Sequence, residues 1–197
     1  MTILKVRVTF IEEVLGTASS TPAVHEEFIA SRAPDAQTRE EEIAAIGVEE
    51  AVERSMTVFP REGEAPFVWD YQLKGFFKDA CGMLSRVPDT KSKKIKAYKK
   101  VIDGIIFITP RKIPLNLNGG SVGSCQRPLR AQTAQGERIA LANSETVPIG
   151  TSIEFEIHSL NDSYVDTIKE WLDYGNLRGF GQWRNSGKGR FTYEILE

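Results

Sequence analysis

The sequence predicts an α+β fold, on three observations. A period-two strand opens the chain, a further strand closes it, and helix-patterned stretches separate strands that are not adjacent. An acidic stretch rich in Ala and Glu interrupts that pattern after the first strand.

Each element has its own signal. Ile3, Val6, Val8 and Phe10 alternate with Lys5, Arg7 and Thr9, which predicts a half-buried strand over Thr2–Ile11. Gly16–Pro22 is small and polar, a loop. From about 23 to 56 a helical insertion is expected, with Thr38 and Glu41 spaced as a capping box and Ile43, Ile46 and Val52 as an apolar stripe. Pro34 interrupts it and Gly47 weakens it. Thr57–Arg61 reads as a short strand and Glu62–Pro66 as a turn. Trp69–Arg86 is helical, with Leu73, Phe76, Phe77, Ala80, Met83 and Leu84 on one face. Val101–Ile108 reads as a well-buried strand. Pro, Gly, Asn and Ser crowd about 110–137, a loop or protruding hairpin. Thr151–Ile157 alternates as a strand, and Ser163–Tyr174 is a helix facing inward through Val165, Ile168, Trp171 and Leu172. Gly175–Gly189 is a basic, glycine-rich loop before a closing strand, Arg190–Leu196. This order predicts a ferredoxin-like sheet with helices on one face, in a single domain spanning 1–197.

The bulk numbers set limits. At 197 residues, 41% hydrophobic and 26% charged, the chain suits one globular domain. A net charge of -2 excludes a generally phosphate-seeking surface, so any basic face is local. Cys81 and Cys125 match no metal spacing and read as buried thiols of a cytosolic protein. Lys5 and Arg7 within the alternation of Met1–Phe10 argue against a signal peptide, and no apolar run reaches membrane-spanning length. The expected location is the cytoplasm, without a membrane partner.

Two stretches carry candidate binding chemistry. In the first, Gly179, Gly181, Gly187 and Gly189 are interleaved with Arg178, Arg184, Lys188 and Arg190, and with Trp183 and Ser186. Glycines let a backbone approach a ligand closely, and guanidinium groups beside them make an anion site. On spacing alone, a tight turn with solvated cations explains the loop equally well. In the second, Lys91, Lys93, Lys94, Lys96, Lys99 and Lys100 surround Tyr98, a possible secondary basic surface for a phosphate backbone and one stacked base. A solvated face is the ordinary reading of a lysine run.

Catalytic chemistry finds little support. His25 and His158 lie far apart, His25 beside Glu26 and Glu27 and His158 at a strand end. Asp70, Asp79 and Asp103 are scattered, read as caps or surface charges. No catalytic set, metal site or cofactor is expected. Trp69 and Trp171 read as core or site-wall residues, and Trp183, within the glycine-rich loop, as a candidate stacking platform.

Four blocks carry a family resemblance. The closing glycine-rich loop, the segment SETVPIGTSIEFEI (Ser144–Ile157), the turn VWDYQLKGFFKDACGML (Val68–Leu84), and QRPLRAQTAQGERIALANSE leading to Glu145 resemble, in order, blocks of the RAMP superfamily. These proteins are the backbone subunits of CRISPR effector complexes. Trp69, Asp70, Tyr71 and Gln72 depart from the small Pro-Gly-Ser residues of the family's turn. The resemblance implies an RNA-binding, non-catalytic subunit that self-assembles or joins an effector complex. It places Lys74, Arg127, Arg130, Arg178, Gly179, Gly181, Trp183, Arg184, Ser186, Gly187, Lys188, Gly189 and Arg190 at RNA or a nucleotide ligand. Two other classes stay open. One is a phage-encoded anti-defence protein that mimics a subunit or sequesters a nucleotide signal, and the other is a ribonuclease.

Overall fold

The computed structural model describes residues 1–19, 56–133 and 136–196. Of the acidic helical insertion expected over about 23–56, residues 23–55, His25 among them, lie outside the described residues. In chain order the elements are β1 (Thr2–Phe10), β2 (Val14–Leu15), β3 (Ala18–Ser19), β4 (Thr57–Val58), β5 (Arg61–Glu62), β6 (Ala65–Trp69) and α1 (Asp70–Leu84). There follow α2 (Tyr98–Ile105), β7 (Ile106–Thr109), β8 (Lys112–Pro114), β9 (Gly123–Thr133), β10 (Gly136–Val147), β11 (Ser152–Ser159), α3 (Val165–Arg178) and β12 (Phe191–Leu196). The backbone gathers into two compact units. One comprises Met1–Val14, Pro60–Ser121 and Val147–Glu197, the other Leu15–Phe59 and Val122–Thr146.

The first unit is built on a four-stranded sheet in the order β12-β1-β11-β7, with every neighbouring pair antiparallel. Val6, Val8 and Phe10 of β1 and Ile153, Phe155 and Ile157 of β11 alternate inward and are buried. The apolar face expected from the alternation is thus the face that meets the core. α1 and α3 cover that face with Leu73, Phe76, Phe77, Ile168, Trp171 and Leu172. Aromatic rings lock the layers together. Phe191 lies edge-on to Phe10 at 6.1 Å and to Phe76 at 5.3 Å, and Phe77 lies 5.5 Å from Trp171. A small sheet, β5-β6-β8, completes this unit.

In the second unit β9 and β10 form a long antiparallel hairpin, from Gly136↔Thr133 to Thr146↔Gly123. β4 joins β10 in parallel at Ser144↔Thr57 and pairs with β3 on its other side. Glu145 staples this junction: its carboxylate accepts from the Phe59 amide at 2.9 Å, and its carbonyl accepts from the Gly16 amide at 2.9 Å.

Several expectations need correction. The stretch Val101–Ile108 is not one strand. It is helical to Ile105, where Val101, Ile102 and Ile105 fall at helical spacing, and only Ile106–Thr109 is extended. The hairpin starts at Gly123, because Lys112–Pro114 is already taken up by pairing with β6. The helix expected over Ser163–Tyr174 continues four residues past Tyr174, so the loop begins at Gly179 and Arg178 ends the helix. Cys81 is buried as expected, whereas Cys125 is partly exposed. No helix among the described residues is long and apolar enough to cross a membrane.

Two glycine substitutions test this packing against each other. A Cβ on Gly175 would enter the Phe191 ring, whereas one on Gly75 meets nothing within 4 Å. Gly75→Ala should stabilise by about 0.5–1 kcal/mol, as helix propensity dictates. Gly175→Ala should instead destabilise by about 1–3 kcal/mol through overpacking. Urea denaturation reads both signs.

A second test is alkaline. Burial, with the nearby Asp173 carboxylate, pushes the Tyr193 hydroxyl up to about 12. The folded state holds this proton longer than the unfolded chain, so the stability is present at neutral pH and lost as pH rises from 10 towards 12. Melting temperatures across that window should fall less steeply for Tyr193→Phe than for the parent.

Candidate nucleic-acid interface

The glycine-rich loop closes on itself before it reaches any ligand. Phe180 is buried in the core, its amide donates to the Gly189 carbonyl at 2.8 Å, and the Gly189 amide donates to the Glu13 carbonyl at 2.8 Å. Gly179 and Gly189 have φ of +79° and +73°, and a Cβ on Gly189 would overlap the Phe180 carbonyl. Gly181 and Gly187 also have positive φ, and between them Trp183 sits at φ +54° before a short turn, Arg184–Ser186.

Every cation of the loop meets a carboxylate. Arg178 Nε and Arg184 donate to the same Asp79 oxygen, at 2.9 Å and 2.7 Å. Arg178 also donates to the Asn185 side chain at 3.0 Å. Lys188 pairs with Glu13 at 2.6 Å and Arg190 with Glu12 at 3.1 Å. Hydrogen bonding to Asp79 holds the Arg178 guanidinium above its ordinary pKa. Asp79 projects from α1, so the two arginines tie the end of α3 and the loop to that helix. A phosphate here competes with three carboxylates already in place.

The lysine run is different. Lys93, Lys94, Lys96, Lys99 and Lys100 are exposed, and no ion pair engages them among the described residues. Lys91 is the exception, 3.2 Å from Asp166. The turn that carries the run is fixed from beneath. The Glu170 carboxylate accepts from the amides of Lys91 and Ser92, at 2.7 Å and 3.0 Å, and buried Trp171 donates its indole N–H to the Ser92 hydroxyl at 2.9 Å. Tyr98 is half-buried, with its hydroxyl against Gly82 of α1, so it docks α2 onto α1.

The remaining candidates scatter. Lys74 lies on α1 with its ammonium 4.6 Å from the exposed Phe107 ring. Arg127 is buried in β9, and Arg130 is paired three residues on with Ile139 of β10. His158 Nε2 is 3.0 Å from the Thr109 hydroxyl and 3.2 Å from Glu156. The sheet face away from the helices carries Lys5 and Arg7 against Glu154, Glu156 and Glu194. Arg7 is held by Glu154 at 2.7 Å and Glu194 at 2.8 Å, so this face offers phosphate no net attraction. No three His, Cys, Asp or Glu side chains converge as a metal site among the described residues.

One group has no counterpart among the residues expected from the sequence. Phe67, Trp69 and Tyr71 line up at the end of β6 and the start of α1, with Arg111 and Lys112 over two of the rings. The signal was present as aromatics at every second position, but only the pairing of β6 with β8 supplies the cations.

The shared carboxylate predicts coupling. In a double-mutant cycle on Asp79→Ala and Arg178→Ala, read by urea denaturation, the interaction should be about 0.5–3 kcal/mol. Strictly additive effects would mean that Asp79 does not hold Arg178.

No family model matches this sequence, and no curated protein matches it. Solved structures do. The chain superposes along its full length, with a TM-score of 0.53 and 11% identity, on 59% of a chain from the cryo-EM structure of Type III-B Cmr-beta bound to cognate target RNA. A chain of a Type IV-B CRISPR complex matches over 99% of this chain and 90% of its own, at a TM-score of 0.47 and 9% identity. The first likeness assigns an α+β fold shared with a part of that Cmr-beta chain, which this protein spans for a little over half its length.

Proposed function

We propose that this protein is an RNA-binding, non-catalytic RAMP-like subunit that self-assembles or joins a CRISPR-type effector complex. The observation that carries the reading is the row of five exposed lysines, without ion-pair partners among the described residues, on a chain whose net charge is only -2. Uncompensated ammonium groups gain most from phosphate, because binding releases condensed counterions without first breaking a protein salt bridge. The fold likeness to a chain of an RNA-bound assembly supports the same reading. The antiparallel strand order, fourth-first-third-second with two helices on one face, supports its ferredoxin-like form. The ordered loop from Gly179 to Arg190 then serves first to fix the end of α3, with RNA contact secondary.

Fluorescence anisotropy with labelled single-stranded RNA, across a salt series, tests the proposal. The parent should bind, with log affinity falling linearly in log salt. Lys93→Glu with Lys96→Glu should flatten that slope by about 0.7 for each phosphate no longer neutralised. Absence of binding at low salt, and a 260/280 nm absorbance ratio typical of bare protein after gentle purification, would overturn it.

A further inference from the structure

A line of aromatic and cationic side chains runs from β6 into α1. Trp69 meets Phe67 edge-on at 4.9 Å and lies nearly parallel to Tyr71, with centroids 6.0 Å apart and planes 16° apart. The Arg111 guanidinium lies 5.6 Å from the Trp69 ring, and the Lys112 ammonium lies 5.6 Å from Phe67. The backbone holds this arrangement. Trp69 pairs in register with Lys112, the Asp70 amide donates to the Arg111 carbonyl at 2.9 Å, and the Trp69 amide donates to the Gln72 side chain at 2.8 Å.

The outer end of the stack faces water. Tyr71 is 55% exposed, although its ring is oriented by Trp69 beneath it. Arg111 is exposed and has no ion-pair partner among the described residues. Lys74, three residues along α1, repeats the motif with its ammonium over exposed Phe107. An oriented aromatic face beside an unpaired planar cation suits a ligand that alternates flat π-systems with anions. That is the chemistry of a single strand, with a base on the ring and a phosphate on the guanidinium. An apolar protein contact fits less well, because Asp70, Gln72, Lys74 and Arg111 give the rim a polar, charged character.

We infer that Tyr71, stacked on Trp69 and flanked by Arg111, is a base-stacking subsite for single-stranded RNA. The inference rests on the RNA-binding reading above and adds to it a contact that depends on bases. The lysine row attracts phosphate whatever the sequence; Tyr71 requires a base.

The test uses the full chain, a labelled oligouridine and an abasic strand of equal length, compared by anisotropy at low salt. Tyr71→Ala should weaken oligouridine binding about tenfold while leaving the abasic strand's affinity unchanged. Tyr71→Phe should retain both affinities, since the ring and not the hydroxyl does the stacking. Unaltered oligouridine binding by Tyr71→Ala overturns the subsite, as does an equal weakening on both strands. If the parent binds RNA and only the Lys93→Glu, Lys96→Glu variant weakens it, the subsite falls and the RNA-binding reading stands. If the parent binds neither strand, both fall. Loss of self-association in light scattering, with RNA affinity intact, would assign Tyr71 to a protein contact and overturn the proposal.

Discussion

The architecture of the first unit turns on the contact between Gly175 and Phe191. A helix normally stands off a sheet by the length of its side chains, but here α3 presents bare backbone to an aromatic ring. That close approach fixes how α3 lies on β12, and therefore where α3 ends. Its last residue, Arg178, reaches Asp79 on α1, and Arg184 reaches the same oxygen from the following loop. The loop returns through Phe180 and Gly189 to Phe191, the ring where the constraint began. This packing contact, the Asp79 pairs and the backbone bonds of Phe180 and Gly189 together fix α3 and the loop that joins it to β12.

Charge is divided unevenly over the sequence. Residues 20–55 contain nine acidic and three basic side chains, so the rest of the chain is net basic by four. Within the first unit two sets of basic side chains contrast. Arg178, Arg184, Lys188 and Arg190 of the loop region and Arg7 of the outer sheet face are matched by Glu12, Glu13, Asp79, Glu154 and Glu194, and hold structure. Lys93, Lys94, Lys96, Lys99 and Lys100, on the turn before α2 and at its start, are left unmatched among the described residues. Ion pairs at these partly exposed positions contribute little each, yet they occupy the cations that form them.

How much was legible in the sequence follows from the range of the interactions. The strands β1 and β11 were readable because burial on one face imposes period two on the residues themselves. The helix α1 was readable from its apolar stripe. Val101–Ile108 misled because an isoleucine-rich run suits a buried strand and a short helix alike; its first half is helical, with Tyr98 docked against Gly82. The glycine-rich loop was located but its partners were not, since Glu12, Glu13 and Asp79 are about a hundred or more residues away in sequence. Trp69 and Tyr71 were visible as a departure from a family turn. Their stacking geometry, and the cation beside them, arise from a strand pairing that no local pattern announces.

These distances along the chain also separate two kinds of binding surface that composition alone would merge. Arg178, Arg184, Lys188 and Arg190 look the most like a phosphate site in the sequence, because arginines among glycines are adjacent there. In three dimensions a ligand's phosphate must displace a carboxylate held at 2.6–3.1 Å before gaining any of these cations. The lysines of 93–100 have no such competitor among the described residues, so among these a phosphate displaces only water and counterions. Ligand affinity should accordingly track the residues that look least specific in sequence. Discrimination between a base and a bare backbone needs an oriented ring, because an ammonium group attracts any phosphate equally. Tyr71 is an exposed ring whose plane is fixed by another aromatic, and on the proposed reading Arg111 would set a phosphate contact next to a stacked base.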